Sequence, residues 1–206
     1  MTAASTRSMP LYGAALAAVL AVCAGVALAP NGVEGAHLAA RYTARVAFLV
    51  FVVVYLASSL PTLWPGDLTR GLLRNRRAWG LGFALAHSVH LCALVTYLNM
   101  IGQPPSALTL VGGGLAYGLM FAMAATSNDG VMRRMGRWWR RLHSVGIHWL
   151  WIVFAFTYLG RLSDPERAAQ GAVLLPVALA ALALRLAAWW VRRQRGQQAA
   201  RLRAAE

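Results

Sequence analysis

The chain has 206 residues, of which 59% are hydrophobic and 13% charged, and its formal net charge is +14. A water-soluble domain carries roughly 45–50% apolar and about 25% charged residues, so a soluble fold of this size would have too little polar surface to cover its apolar side chains. Every basic residue is an arginine, and these cluster in short segments between apolar runs, where they act as membrane-topology signals rather than as a nucleic-acid surface.

Six apolar stretches occur in chain order, at about 11–29, 46–63, 78–98, 107–126, 145–160 and 172–191, each near the roughly 20 residues that cross a hydrocarbon core. The predicted fold is therefore all-α, a polytopic membrane bundle of about six transmembrane helices over 1–191, with a basic tail over 192–206. The breaks carry turn-forming runs: Pro30-Asn31-Gly32, Pro65-Gly66-Asp67, Gln103-Pro104-Pro105, Ser127-Asn128-Asp129-Gly130 and Ser163-Asp164-Pro165. Stretch one, with Arg7 before it and Ala27-Leu28-Ala29 at its end, has the outline of a secretory signal. Its length and Pro30 favour retention as a span.

Arginine placement sets an expected orientation. Arg70, Arg74, Arg76 and Arg77 lie between spans two and three, and Arg133, Arg134, Arg137, Arg140 and Arg141 between spans four and five. Arg192, Arg193, Arg195, Arg201 and Arg203 follow span six. The alternate connections hold only Arg41, Arg45, Arg161 and Arg167. By the positive-inside rule both termini and the Arg-rich loops are cytoplasmic, in a bacterial-type inner membrane. The tail is expected to lie on anionic headgroups. Gly112-Gly113-Gly114 and Gly118 in span four are expected to permit close helix approach. Asp129 is expected to cap a helix or pair with nearby arginines.

Cys23 and Cys92 lie inside spans in no ligand spacing, which excludes a disulfide framework and a cysteine-held cluster. The chemistry falls to the histidines, because no carboxylate lies within a span. His87 and His90 are three apart in span three, hence near one face, whereas His143 and His148 in span five are about 140° apart. At about 1.5 Å per residue from the arginines, His87 lies roughly 15 Å deep, His90 roughly 20 Å, His143 roughly 3 Å and His148 roughly 10 Å. The closest match in depth across the two helices is His87 with His148. Two imidazoles from facing helices are the usual means of gripping a heme iron along its axis. The competing reading is plain interhelical hydrogen bonding. His37, beside Glu34 and Arg41, is expected in an exposed outer loop.

Several pieces of the sequence resemble the ferric reductase-like transmembrane domain family. They are Arg76-Arg77-x-x-Gly80-Leu81 leading to His90, and Ala125-Thr126-Ser127-Asn128 followed by Met132-Arg133-Arg134-Met135-Gly136-x-Trp138-x-Arg140-Arg141-Leu142-His143, with a shorter piece at Ala40-Arg41-Tyr42-Thr43-Ala44-Arg45. The resemblance implies a b-type heme, with His90 and His143 on ligand positions of the family. A further family ligand falls thirteen residues after His143, where this chain has Phe156, and a ligand there would face His90. Either the heme has moved to His87 and His148 or it has been lost.

The function implied is a membrane electron-transfer subunit that passes electrons through the heme to a partner. No dinucleotide-binding segment occurs in these residues, so the expected donor is a cytoplasmic reductase or quinol, and the acceptor periplasmic or membrane-borne. Arg133, Arg134, Arg140 and Arg141 are candidates for an anionic lipid or the phosphate of FMN. Trp138, Trp139, Trp149 and Trp151 are candidates to border the porphyrin or to sit at the interface. The alternative function is a heme-free membrane protein that anchors or assembles a partner. Solute transport lacks support: the spans hold no acidic group and no paired broken helices.

Overall fold

The computed structural model describes residues 3–204, with side chains from Ser8 onward. The Arg7 side chain and the two ends of the chain, on which the expected orientation partly rests, lie outside the described residues. Nine helices account for nearly all of the described chain: α1 (Ala3–Ala27), α2 (Gly32–Leu56), α3 (Leu60–Leu63), α4 (Asp67–Arg74), α5 (Arg76–Ile101), α6 (Ala107–Ala125), α7 (Asp129–Met135), α8 (Arg137–Arg161) and α9 (Ala168–Ala204). Six of them (α1, α2, α5, α6, α8 and α9) are long and apolar enough to cross a membrane. Their outer faces are apolar, with Leu20, Leu108, Val111, Phe156, Val173 and Leu186 among the exposed large side chains. A bundle whose outside is this apolar is covered by lipid rather than water. The protein is a multi-pass membrane protein.

Polar caps start the helices where the turns were read. Asn31 accepts from the Glu34 amide at 2.9 Å, Ser106 from Thr109 at 3.2 Å and Asn128 from Val131 at 2.9 Å, each satisfying an amide the helix leaves unpaired. The cap at Asn31 moves the start of the second span. It begins at Gly32 rather than near 46, so His37, Arg41 and Arg45 are helical. His37 is not in an exposed loop: its side chain is 21% exposed, stacks on Tyr97 of α5 at 4.7 Å and lies 3.6 Å from Glu34. The other end of that span breaks at Leu56, because Pro61 has no amide to bond the Ala57 carbonyl one turn back. At the far end of the chain the basic tail continues α9 as helix to Ala204.

The spanning helices fall into two sets. In the first, α1, α2 and α5 pack closely on one another. Small residues make this contact: a Cβ on Gly25 of α1 would meet the Cα of Ala39 at 2.6 Å, and Ala14, Ala18, Ala40 and Ala86 are buried in the seam. In the second set α8 stands between α6 and α9. Here the Trp149 indole donates to the Gly112 carbonyl of α6 at 3.2 Å, and that of Trp151 to the Ala178 carbonyl of α9 at 2.8 Å. The glycines of α6 play no part in close approach, contrary to expectation: Cβ atoms on Gly112, Gly113, Gly114 and Gly118 would meet nothing within 4 Å.

Large rings fill the boundary between the two sets. Phe48 and Phe51 of α2, Phe83 of α5 and Phe154 and Tyr158 of α8 form one cluster with centroids 4.8–6.5 Å apart. Lipid tails are as apolar as these side chains, so van der Waals packing and ring geometry, about 0.5–1.5 kcal/mol per pair beyond burial, hold the layer together.

Candidate functional site

The boundary between the helix sets holds three of the four membrane histidines and opens into a cavity of about 410 Å³ at the arginine-rich end. The apolar walls include Phe83 and Ala84 of α5, Met120 of α6, and Ile147 and Leu150 of α8. Arg74, Arg76, Arg77 and Arg185 bring cations to it, and His143 and Trp139 form part of the α8 wall.

His87 follows Phe83 by one turn, deeper in the bundle than the cavity. Its ring is 8% exposed, stacked on Tyr117 of α6 at 4.7 Å and on Phe83 at 5.3 Å, and faces Phe154 of α8 at 5.5 Å. Its Nδ1 is buried without a hydrogen-bond partner. A buried imidazole nitrogen with nothing to bond costs stability unless a ligand completes it. His90, 5.4 Å from His87 between ring centroids, is turned instead toward α2. Its Nδ1 lies 3.1 Å from the Ala40 carbonyl and 3.3 Å from Thr43 Oγ1. A carbonyl only accepts, so Nδ1 carries the proton and Nε2 keeps the lone pair.

The α8 histidines divide in the same way. His148 Nδ1 lies 2.6 Å from the Ser144 carbonyl on its own helix, which again leaves the Nε2 lone pair free, and its ring meets the edge of Tyr55 of α2 at 5.8 Å. His143 stacks on Trp139 at 4.0 Å and lies, through Nε2, 3.3 Å from Thr126 Oγ1. The Thr126 hydroxyl already donates to Ala122 at 2.7 Å, so His143 is the donor and its Nδ1 holds the lone pair. Trp139 also donates to the Thr126 carbonyl at 3.0 Å. The second sequence piece, from Thr126 to His143, is thus assembled around one imidazole. The shorter piece, through Ala40 and Thr43, holds His90.

Phe156 does not face His90. It is 68% exposed on the outer surface of α8, while Phe154 turns inward. Thirteen residues at 100° each leave a net rotation of about 220° from His143, away from the inward stripe Gly146, Leu150, Phe154 and Tyr158. Arg133, Arg134, Arg140 and Arg141 are exposed on α7 and the start of α8, and none lines the cavity. Of the tryptophans, Trp139 alone lines it. Asp129 pairs with Arg77 at 3.1 Å, joining α7 to α5.

Arg185 does not stand out in the sequence, because the 172–191 stretch is apolar on average. A lone charge inside an apolar span is itself a signal of function. Its guanidinium donates to the Tyr55 carbonyl at 2.6 Å and sits 4.6 Å from the centre of that ring.

Among the described residues no three His, Cys, Asp or Glu side chains converge as metal ligands. A heme asks for less, one or two axial imidazoles and a dry apolar slot. The donors fit that group: one orphaned buried nitrogen on α5, and imidazoles on both helices whose second nitrogen is fixed by a carbonyl, as in ligating histidines generally.

Fold and site together define a six-span membrane protein with a histidine-bearing boundary between two helix sets. The chain is similar to the protein-methionine-sulfoxide reductase heme-binding subunit MsrQ of Bordetella pertussis, at 33% identity over 133 residues. The similarity covers 59% of this chain and 62% of that protein, less than two thirds of its length, and marks a distant relationship. No family model matches the chain, and no solved structure does.

Proposed function

We propose that the protein is a membrane electron-transfer subunit of the ferric reductase-like class, holding a b-type heme between its two helix sets. The observation that carries this reading is the unpartnered, buried Nδ1 of His87, whose ring lies at the boundary 5.5 Å from that of Phe154 on α8. The similarity to a protein named for heme binding supports it. His87 and His148, one from each helix set, would hold the heme iron; His90 and His143 are the other candidates on the same two helices. When bound, heme supplies reversible one-electron chemistry.

The residues of this chain supply the surroundings. The Ser144 carbonyl fixes the His148 ring by accepting a hydrogen bond from its Nδ1–H. Phe48, Phe51, Phe83 and Phe154 exclude water from the boundary, and a dry shell tunes redox potential. Electrons come from a cytoplasmic reductase or from quinol and leave to a periplasmic or membrane-borne acceptor. Both termini face the cytoplasm of a bacterial-type inner membrane, and activity of reporter enzymes fused to the C-terminus tests that orientation. The exposed Arg133, Arg134, Arg140 and Arg141 contact anionic headgroups, with the FMN phosphate as a second ligand for them.

The aromatic cluster that already occupies much of the boundary favours a second reading, a heme-free protein that anchors or assembles a partner. A reduced-minus-oxidised spectrum of the detergent-purified chain separates the two. A bis-histidine b-type signal is expected, lost in His148→Ala and His87→Ala and kept in His37→Ala. No signal from heme-replete cells would leave the heme-free reading.

A further inference from the structure

Arg185 lies seven residues before Arg192 on α9, roughly 10 Å further along the axis. Of its five N–H donors, one nitrogen bonds the Tyr55 carbonyl, and no carboxylate among the described residues pairs with it. A guanidinium held within a span is costly and calls for an anion or a wet cavity. Arg185 lines the 410 Å³ cavity together with Arg74 and Arg76, while Asp129, the carboxylate on that wall, is taken by Arg77. The Tyr55 hydroxyl and the Ser59 hydroxyl, on the segment of α2 and its exit that meets α9, are buried without partners. Tyr55 in turn touches His148. The cavity therefore combines apolar walls with cations in its lining, and Tyr55 connects Arg185 to His148, which does not itself line it. That suits a flat apolar body with anionic groups along one side.

We propose that Arg185, assisted by Arg74 and Arg76, is the docking site for the carboxylate edge of the porphyrin, and so fixes which way round it enters. The proposal rests on the heme reading above. It makes Arg185 a binding residue for the anionic edge and gives it no part in iron ligation. Arginine suits the task because its planar fork pairs two-point with a carboxylate.

The test uses the full chain, purified in detergent from heme-starved cells and titrated with hemin or with hemin dimethyl ester, whose carboxylates are blocked. The wild-type chain is expected to favour hemin by about tenfold or more, the scale of a charge-assisted hydrogen bond removed from a dry site. Arg185→Gln is expected to reduce that preference to about twofold or less, and Arg185→Lys to restore part of it. His148→Ala is expected to weaken both porphyrins alike. Equal binding of hemin and its ester by the wild-type chain overturns the proposal while the heme reading stands, and this arm needs no variant to fold. A preference that survives in Arg185→Gln overturns it as well. If neither porphyrin binds the wild-type chain, the heme reading itself fails and the docking role falls with it.

Discussion

The two helix sets are held together by different means. In α1, α2 and α5 the backbones approach until a single Cβ would collide, with alanines and Gly25 forming the seam. In α6, α8 and α9 indole N–H groups reach across to carbonyls of neighbouring helices, and backbones come close at Gly171 of α9, where a Cβ would meet the Tyr158 carbonyl of α8 at 2.8 Å. Close backbone packing leaves two discrete outcomes, fitted or not. Side-chain tethers allow a helix to shift and repack. Most chemistry-bearing residues lie where these two modes of packing meet, His87 on the tight set and His143 and His148 on the tethered one, while His90 turns back toward α2 within the tight set. A cofactor slot placed there would have one wall built on close backbone packing and one held mainly by indole tethers.

The sharpest way to break this contrast is Gly25→Leu. The new side chain would drive into the Ala39 backbone, which cannot give way as a flexible side chain does. We expect a loss of about 3 kcal/mol, the upper end for overpacking, seen as aggregation or a collapse of the melting temperature in detergent. The tethered set should respond more mildly. Trp151→Phe removes the 2.8 Å bond to Ala178 but keeps a ring in place, and interhelical bonds of this kind in membranes are worth about 0.6–1.7 kcal/mol. The expected result is a folded protein whose melting temperature drops by a few degrees. An effect as large as that of Gly25→Leu would remove the distinction between the sets.

Much of the fold was legible because its signals are local. Apolar run length, the Asn128 cap and the turn runs are written in adjacent residues, and six spanning helices followed from them. The Arg77–Asp129 pair fulfilled the expectation placed on Asp129. What was not legible depends on rotation and on neighbours. The start of α2 at Gly32 was hidden because Arg41 and Arg45 were read as loop charges, although a helix accommodates them. Phe156 was expected to face His90, but the face of α8 turned toward α2 and α5 is set by the ring cluster between them, and Phe154 occupies it. Arg185 was invisible to an average over its apolar stretch. The His90 tautomer depends on a carbonyl far away in sequence, that of Ala40.

The smallest effect should come from the feature the sequence made most conspicuous. Gly113 lies in a run of three glycines, yet a Cβ there would meet nothing within 4 Å, and the same is true of Gly112, Gly114 and Gly118. Gly113→Ala therefore adds a methyl group to open space while removing a flexible position from the middle of a helix. Glycine in a helix interior costs about 0.5–1 kcal/mol relative to alanine in water, so the substitution is expected to leave the melting temperature unchanged or raise it by a degree or two. Gly113→Leu extends the comparison with Gly25→Leu, giving two glycines the same added bulk in the two helix sets. A stable Gly113→Leu protein beside an unfolded Gly25→Leu protein would show that α6, unlike α1, α2 and α5, takes no part in close approach, which in its own set lies at the α8–α9 contact of Gly171. A comparable collapse at Gly113 would mean that α6 also packs through its glycines, and that the tethered wall is as rigid as the other.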